Sequence, residues 1–301
     1  MSATIGLDLG GTKLLGLCVS DDGAVLSRAR RDTGRETTPA RVLSLVHELV
    51  EVLCAEARVE VCAVGVGFPG LVDAPRGVVR STVMIDGWRD VAFAAMVRDA
   101  TGLPCAIDND VNAAAVAELD LRKRAGEDVA APDASMLLAA VGTGIGGAIT
   151  VGGRLWRGRS GAAGELGNTS IDRHGATCWC ARRGCLNTTA SGTALERAWG
   201  LPTPLRDAWN AGDPRAREVV REGARALGYG IANAVQLLAP TLVVLGGGVA
   251  EYGEAWRAEV EATVRAETFF EAMEHCRVEL ARAGYDAGAL GAARLAQEAI
   301  S

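Results

Sequence analysis

Hydrophobic and polar positions follow the same pattern twice along this chain. The segment "TIGLDLGGTKLLGLCVS" predicts a strand, a tight glycine turn and a second strand, because apolar residues flank Gly10 and Gly11 on both sides. The pattern returns at "SMLLAAVGTGIGGAITVGG", around Gly142 and Gly144. One such unit in each half predicts two related α/β domains.

Between the two turns, the periodicity predicts further α/β elements. "ARVLSLVHELVEVLCAEA" has the apolar spacing of a helix, and "VCAVGVGFPGLVD" reads as a buried strand that ends in a Pro-Gly loop. "PCAIDNDVNAAAVAELDL" predicts a short strand followed by an alanine-rich helix, with Asp108, Asn109 and Asp110 at the junction. Ligands of α/β sheets bind at this edge. A purely structural role for Asp110, as the helix N-cap, remains open because Asp is favoured there.

The glycine-rich turns favour phosphate binding over dinucleotide binding. Gly142, Gly144 and Gly147 fit G-x-G-x-x-G, but a strand follows them where the dinucleotide motif needs a helix. No Walker A sequence occurs. Each turn can instead present backbone N–H groups and a hydroxyl, from Thr12 or Thr143, to phosphate oxygens. Plain hairpin turns are the alternative.

Composition and charge narrow the class of protein. A chain of 301 residues with 49% apolar and 23% charged residues predicts a globular protein of two domains. The net charge of −6 and the absence of a long basic run argue against nucleic acid as a partner. The first apolar segment begins at Thr4, and the longest is broken by Pro240, so we expect no signal peptide, no membrane span and a cytoplasmic location.

Three of the eight cysteines fall within residues 178–185. In a reducing compartment, clustered cysteines are better interpreted as metal ligands than as disulfides. Cys178, Cys180 and Cys185 have a C-x-C-x₄-C spacing that suits tetrahedral zinc, which needs a fourth ligand in a structural site. His174, four residues before Cys178, is the predicted fourth ligand. Reduced cysteines in a loop, with a solvated His174, are the alternative.

Six segments in succession resemble motifs of the ROK family of repressors and sugar kinases. They are "IGLDLGGTK", "GVGFPGLVD", "IDNDVNAAAVAE", "VGTGIGGAI", "GAAGELGN" and "CWCARRGCLN", and the similarity resumes at "LVVLGGGVAE" and "AGALGAARLA". The resemblance implies an α/β fold of the actin-like, hexokinase (ribonuclease H-like) type. It implies a small domain, 1–112, rejoined by a C-terminal helix at 287–301, and a large domain, 113–286. ATP and a sugar would meet in the cleft.

The resemblance also assigns roles to individual residues. In the family, Asp8 positions Mg²⁺ and Asp110 is the general base that takes the proton of the sugar hydroxyl, a role that contributes roughly 10²- to 10⁴-fold in rate. The positions matching the nucleotide site are Asp8, Gly10, Gly11, Thr12, Lys13, Thr143, Gly144, Gly246 and Gly247. Those matching the sugar site are Pro69, Gly70, Asn109, Asp110, Glu165, Asn168 and Asn187.

Two of these positions depart from the family's glucose-phosphorylating members. Those members have His where this chain has Asn168 and Glu where it has Asn187, and Ala181 replaces a glycine. The matching Asn109, Asp110 and Glu165 are retained. We therefore expect phosphorylation of the 6-hydroxyl of a hexose whose opposite edge differs from glucose. Kanosamine (3-amino-3-deoxyglucose) is the preferred acceptor, and a C7-cyclitol, glucose and an N-acylhexosamine are the alternatives.

The family also contains repressors. Its repressors carry a helix-turn-helix domain before the first phosphate loop, whereas three residues precede the first apolar segment, which begins at Thr4, in this sequence. An enzyme is therefore expected, with a sugar sensor that lacks catalysis as the alternative. Members of the family often form oligomers, so the resemblance further implies a homodimer or homotetramer.

Overall fold

The computed structural model describes residues 2–34, 36–82 and 87–300. The chain divides into two compact units. The first comprises Met1–Glu127, Arg157–Ala162 and Tyr285–Ser301, and the second comprises Asp128–Trp156 and Ala163–Gly284.

A five-stranded sheet forms the centre of the first unit. Its strands are β1 (Ser2–Leu9), β2 (Lys13–Ser20), β3 (Val25–Asp32), β4 (Glu60–Phe68) and β8 (Cys105–Asn109). They lie in the order β3-β2-β1-β4-β8, with β1 antiparallel to β2 and parallel to β4, which is parallel to β8. A small antiparallel sheet follows, made of β5 (Leu71–Asp73), β6 (Val78–Ser81) and β7 (Arg89–Val91).

Helices cover the first sheet. They are α1 (Pro39–Ala57), α2 (Phe93–Thr101), α3 (Asp110–Arg124) and α10 (Ala287–Ile300). Helix α1 begins where the Thr38 hydroxyl accepts from the Arg41 backbone N–H, and it buries Val42, Leu45 and Leu49 at helical spacing. Helix α10 buries mostly alanine and glycine, which lets it pack closely on β1, β4 and α3.

The second unit repeats this topology. Its strands are β9 (Ser135–Val141), β10 (Ile145–Val151), β11 (Arg154–Leu155), β12 (Leu242–Gly246) and β13 (Arg277–Leu280), in the order β11-β10-β9-β12-β13. Counted within each sheet, both units have the strand order 3-2-1-4-5. Its helices are α4 (Asn187–Ala190), α5 (Gly192–Trp199), α6 (Leu205–Asn210), α7 (Pro214–Leu238), α8 (Glu254–Ala266) and α9 (Phe270–Met273).

The observed units differ from the domains expected at 1–112 and 113–286. The expected boundary falls inside α3, which lies in the first unit because it packs along α10. Residues 157–162 also belong to the first unit, although no change in composition distinguishes this segment in the sequence. Among the described residues, no helix is both long enough and apolar enough to cross a membrane.

Candidate active site

Three parallel strands of the first sheet bring polar residues to one edge. Asp8 near the end of β1 pairs in register with Gly67 of β4, and Gly67 pairs with Asp108 of β8. Gly67 lies beside Asp8 and the start of α3. A Cβ added there would lie 3.4 Å from the Asp110 Cα and 3.7 Å from the Asp8 Oδ1. The fold therefore places both the Asp8 carboxylate and the start of α3 next to a position without a side chain.

The Asp8 carboxylate is crowded by α10. A Cβ added to Gly288 would lie 2.5–2.8 Å from the Asp8 carboxyl atoms, so only glycine fits there. Burial raises the pKa of Asp8 to about 6, although the positive charge of Lys13 acts in the opposite direction. Burial makes the ionised form of Asp8 unfavourable, and a cation bound next to the carboxylate would offset this cost.

The first glycine turn, residues 10–13, joins β1 to β2. The Gly10 backbone N–H donates to the Lys13 carbonyl at 2.8 Å and closes the turn, while Gly11 and Thr12 are exposed at its tip. The Lys13 Nζ lies 4.2 Å from the centre of the Tyr285 ring, a cation–π contact. An exposed hairpin tip with an adjacent ammonium group suits phosphate oxygens.

Asp110 is not the N-cap of α3. Asn109 takes that position, and its Oδ1 accepts from the backbone N–H groups of Val111 at 2.9 Å and Asn112 at 3.1 Å. The Asn109 Nδ2 donates to the Gly70 carbonyl at 3.1 Å and so ties α3 to the Pro-Gly loop after β4. Asp110 therefore occupies the first turn of the helix, where the macrodipole favours a carboxylate.

Asp108 and Arg157 form an ion pair at this edge, to which sequence reasoning assigned no role. The buried Asp108 carboxylate accepts from the Arg157 guanidinium at 2.6 and 2.7 Å. Its other oxygen accepts from the Asn109 backbone N–H at 2.8 Å and from the Asn112 Nδ2 at 2.9 Å. The sequence Asp108-Asn109-Asp110 draws attention to Asp108. No sequence pattern near Arg157 identifies it as the partner, because the two residues are 49 positions apart.

The second glycine turn, residues 142–144, joins β9 to β10. The Gly142 N–H donates to the Gly144 carbonyl at 2.8 Å, and β10 follows directly, so the dinucleotide interpretation of this motif is excluded. Gly247, with φ of +81°, lies where an added Cβ would be 2.4 Å from the Val141 carbonyl oxygen. Because Val141 immediately precedes the turn, the fold brings Gly247 next to it, as the predicted nucleotide residues require.

Polar side chains connect the second turn to the predicted sugar residues. The Ile145 backbone N–H donates to the Asn187 Oδ1 at 2.7 Å, and the Asn187 Nδ2 donates to the Asn168 Oδ1 at 3.1 Å. The Asn168 Nδ2 donates in turn to the Glu165 carboxylate at 2.7 Å. We call this series, from the Ile145 N–H through Asn187 and Asn168 to Glu165, the amide chain. Asn187 is buried, whereas Glu165 is exposed.

The three clustered cysteines form a compact group. The Sγ atoms of Cys178, Cys180 and Cys185 all lie within 4.8 Å of one another, and those of Cys180 and Cys185 are 3.5 Å apart. A hydrogen bond from the Arg182 side chain lowers the pKa of the Cys180 thiol to about 7. His174 lies outside this group, is exposed, and accepts from the Arg173 Nε at 2.9 Å.

The predicted residues thus fall into two sets, one in each unit. The first unit carries Asp8, the first glycine turn, the Pro69–Gly70 loop, Asn109 and Asp110. The second unit carries the second glycine turn, Glu165, Asn168, Asn187, Gly246, Gly247 and the cysteine group.

Comparison with known proteins gives consistent matches along the whole chain. The ROK family profile matches residues 4–299. The ROK hexokinase structure from Thermus thermophilus is 37% identical, with a TM-score of 0.82 and 99% of each chain covered. A ROK family glucokinase from Streptomyces griseus, solved with glucose and AMPPNP, is 32% identical, with a TM-score of 0.83 over 98% of this chain and 99% of that one. The N-acetylmannosamine kinase of Yersinia pseudotuberculosis is 30% identical over 306 residues that span both chains in full. The predicted hexokinase-type α/β fold is confirmed.

Proposed function

The chain belongs to the ROK family, and on that basis we propose that it is an ATP-dependent sugar kinase that phosphorylates the 6-hydroxyl of a modified hexose. The observation that carries this proposal is that the Asp8 carboxylate and the backbone of Asp110, in the first turn of α3, both lie next to Gly67 at the carboxyl edge of the first sheet. The similarity to sugar kinases supports the reaction class.

The chemistry requires little beyond alignment, charge neutralisation and one base. The Asp110 carboxylate takes the proton of the acceptor hydroxyl as that oxygen forms a bond to the γ-phosphorus of ATP. The bond from the γ-phosphorus to the bridging oxygen breaks, and ADP leaves with the electron pair. Each glycine turn offers backbone N–H groups that suit phosphate oxygens, and Lys13 adds a positive charge at the first of them. Mg²⁺ neutralises phosphate charge when bound, and the Asp8 carboxylate is the group that would hold it.

The acceptor we propose is kanosamine, 3-amino-3-deoxyglucose. The exposed Glu165 carboxylate, oriented by Asn168, supports recognition of an ammonium group beside a hydroxyl, since an ionised acceptor strengthens such hydrogen bonds. Asn168 and Asn187 replace the side chains of the glucose-phosphorylating relatives, which supports an acceptor other than glucose. A C7-cyclitol, glucose and an N-acylhexosamine are the competing acceptors.

A panel of acceptors tests both levels of the proposal. ADP release is measured with ATP, Mg²⁺ and, in turn, 3-amino-3-deoxyglucose, glucose, N-acetylmannosamine, N-acetylglucosamine and a cyclitol. We expect the highest kcat/KM with the 3-amino sugar and phosphate on its 6-oxygen in the product. Preference for another acceptor would refute kanosamine and keep the kinase. Absence of turnover with every sugar, together with sugar binding in calorimetry, would indicate a sensor.

We propose that the cysteine group binds structural zinc. Three thiol groups within 4.8 Å of one another match the spacing that a single tetrahedral ion imposes. Metal analysis of purified protein tests this, with Cys178→Ser as the disrupting variant. We expect one equivalent of zinc in the wild type and loss in the variant. His174→Ala tests the fourth ligand: retained zinc would remove His174 from the set.

We also propose that the protein forms a homodimer, through the end of α7 and the start of α9. Leu237, Phe269 and Phe270 are 74–85% exposed. Gln236 Nε2 donates to the Glu267 carbonyl, which brings these two segments together. Grouped exposed apolar side chains mark interaction surfaces. Light scattering on Phe270→Ser, with Val151→Ser as the exposed control in another place, should show dissociation only for the first.

A further inference from the structure

The amide chain links the second glycine turn to the Glu165 carboxylate. We infer that Asn187 is a positioning residue that fixes both of them at once, and that it acts on the acceptor through Asn168 and Glu165 without binding the acceptor directly. This inference deepens the proposed function and rests on it for the identity of the two ligands. The observation behind it is that both ends of one buried side-chain amide are engaged inside the protein.

The direction of the chain is fixed by its ends. The Ile145 backbone N–H can only donate, so the Asn187 oxygen faces it and the Asn187 NH₂ group faces Asn168. An ionised Glu165 can only accept, so the Asn168 NH₂ group faces it. Every link then donates toward the carboxylate, and aligned hydrogen bonds of this kind reinforce one another. In this arrangement the side chains at positions 168 and 187 each accept at one end and donate at the other.

This requirement explains why both positions carry asparagine. A carboxylate at position 187 has no N–H for Asn168, and it cannot donate into a chain that ends at Glu165. An imidazole at position 168 would likewise have to meet a different partner at 187. The two amides therefore form a matched pair, and replacing one alone leaves the other without its partner.

The segment that contains Asn187 also holds the second glycine turn at further points. An added Cβ at Gly144 would lie 3.3 Å from the Asn187 Oδ1. The Gly192 N–H donates to the Gly142 carbonyl at 2.8 Å, and the Thr193 hydroxyl donates to the Thr143 carbonyl at 2.9 Å. Because Asn187 begins α4 and α5 follows directly, a displacement of its side chain bears on all three residues of the turn.

The experiment separates nucleotide binding from acceptor binding. Asn187→Ala, Asn187→Ser and Asn168→Ala are compared with the wild type, and Thr189→Ala serves as an exposed control on the same helix. AMPPNP·Mg²⁺ affinity is measured by calorimetry, and acceptor KM and kcat by ADP release. A lost hydrogen bond to a buried group corresponds to about a five- to tenfold effect.

We expect both Asn187 variants to weaken AMPPNP binding about fivefold and to raise acceptor KM about tenfold. Asn168→Ala should raise acceptor KM similarly and leave AMPPNP affinity within about twofold. The Asn168→Ala/Asn187→Ala double variant should raise acceptor KM no more than either single variant, because both break one chain. Thr189→Ala should change neither quantity.

Unchanged AMPPNP affinity in the Asn187 variants would overturn the inference and make Asn187 a simple acceptor ligand. Additive effects on acceptor KM in the double variant would overturn it as well. Asn187→Ser decides the case if Asn187→Ala fails to fold. If no sugar is phosphorylated by the wild type, the proposed function fails, while the AMPPNP measurements still test the link between Asn187 and the turn.

Discussion

Each glycine turn joins the first two strands of its sheet. Different segments of the chain donate hydrogen bonds to the two turns. Both turns are closed by a backbone hydrogen bond of their own, from the Gly10 N–H to the Lys13 carbonyl and from the Gly142 N–H to the Gly144 carbonyl. The first turn is braced by Thr33, just after β3, which donates to the carbonyls of Gly11 and Thr12. The second turn, residues 142–144, is braced by a segment some 45 residues later in the chain, through Asn187 and Thr193. The brace of the first turn comes from the neighbouring strand of its own sheet, whereas the brace of the second turn includes Asn187, which belongs to the amide chain that ends at Glu165.

The difference teaches where substrate preference can change without loss of chemistry. The first unit holds Asp8 and Asp110, the two carboxylates proposed for the reaction, and the second unit holds Asn168 and Asn187, the two positions expected to depart from glucose-phosphorylating members of the family. We therefore expect the acceptor preference to change through the positions whose polar side chains brace the second turn. The following predictions either break this division of labour or sharpen it.

Asp110→Asn should give the largest effect. The amide cannot take the proton of the acceptor hydroxyl, so we expect kcat to fall by about 10²- to 10⁴-fold. AMPPNP affinity should stay within about twofold, because the first glycine turn is closed by its own backbone. Steady-state ADP release and calorimetry measure the two quantities. A kcat close to that of the wild type would remove Asp110 from the role of base.

Asp8→Asn should lower kcat by about 10²-fold or more, through loss of the charge that would hold Mg²⁺, and should at the same time stabilise the protein. Burial raises the pKa of Asp8 from 3.8 to about 6, so between these values the folded state binds more protons than the unfolded state. The free energy of unfolding of the wild type therefore falls as pH rises through that window.

The neutral amide avoids this cost. At pH 8 we expect Asp8→Asn to have a free energy of unfolding roughly 3 kcal/mol above the wild type, and at pH 4 little difference between them. Urea titrations without nucleotide or Mg²⁺ at the two pH values provide the test. A variant less stable than the wild type at pH 8 would show that the Asp8 charge is satisfied inside the folded protein.

Arg157→Met should destabilise the first unit. It leaves the Asp108 carboxylate, whose side chain is 2% exposed, without its guanidinium partner. We expect a loss of about 2–3 kcal/mol in the free energy of unfolding, because an uncompensated charge stays buried. Arg159→Met, two residues away and exposed, is the matched control and should be near neutral. Equal effects of the two variants would contradict a specific role for Arg157.

Sequence reasoning reached the residues whose environment is local. The strand, turn and strand pattern predicted both hairpins, and the polar run after β8 predicted the edge that carries Asn109 and Asp110. It assigned the N-cap of α3 to Asp110 as an alternative, whereas Asn109 makes the capping bonds, because both residue types cap and a one-residue boundary is not readable from the pattern.

Sequence reasoning could not predict contacts between segments that are far apart in the chain. Arg157 lies 49 positions from Asp108, and Asn187 lies 42 from Ile145, so neither pairing leaves a local signal. The placement of α3 in the first unit depends on α10, at the other end of the chain. Periodicity gives the elements and their order, while the bracing of the second turn depends on tertiary packing that composition does not encode.

The smallest effect, and the sharpest test of the comparison, comes from exchanging the asparagine pair. Asn168→His with Asn187→Glu restores the residues of glucose-phosphorylating relatives. We expect the kcat/KM ratio of glucose to 3-amino-3-deoxyglucose to rise about tenfold, because the exchange changes the hydrogen bonds that orient Glu165 and so changes which polar groups of the sugar are paired. Either single exchange should lower kcat/KM for both sugars, since the remaining asparagine loses its partner in the amide chain. ADP release with both sugars measures the ratio.

An unchanged ratio in the double variant would mean that residues outside the amide chain select the acceptor. A single variant as active as the double variant would show that the two amides do not act as a pair.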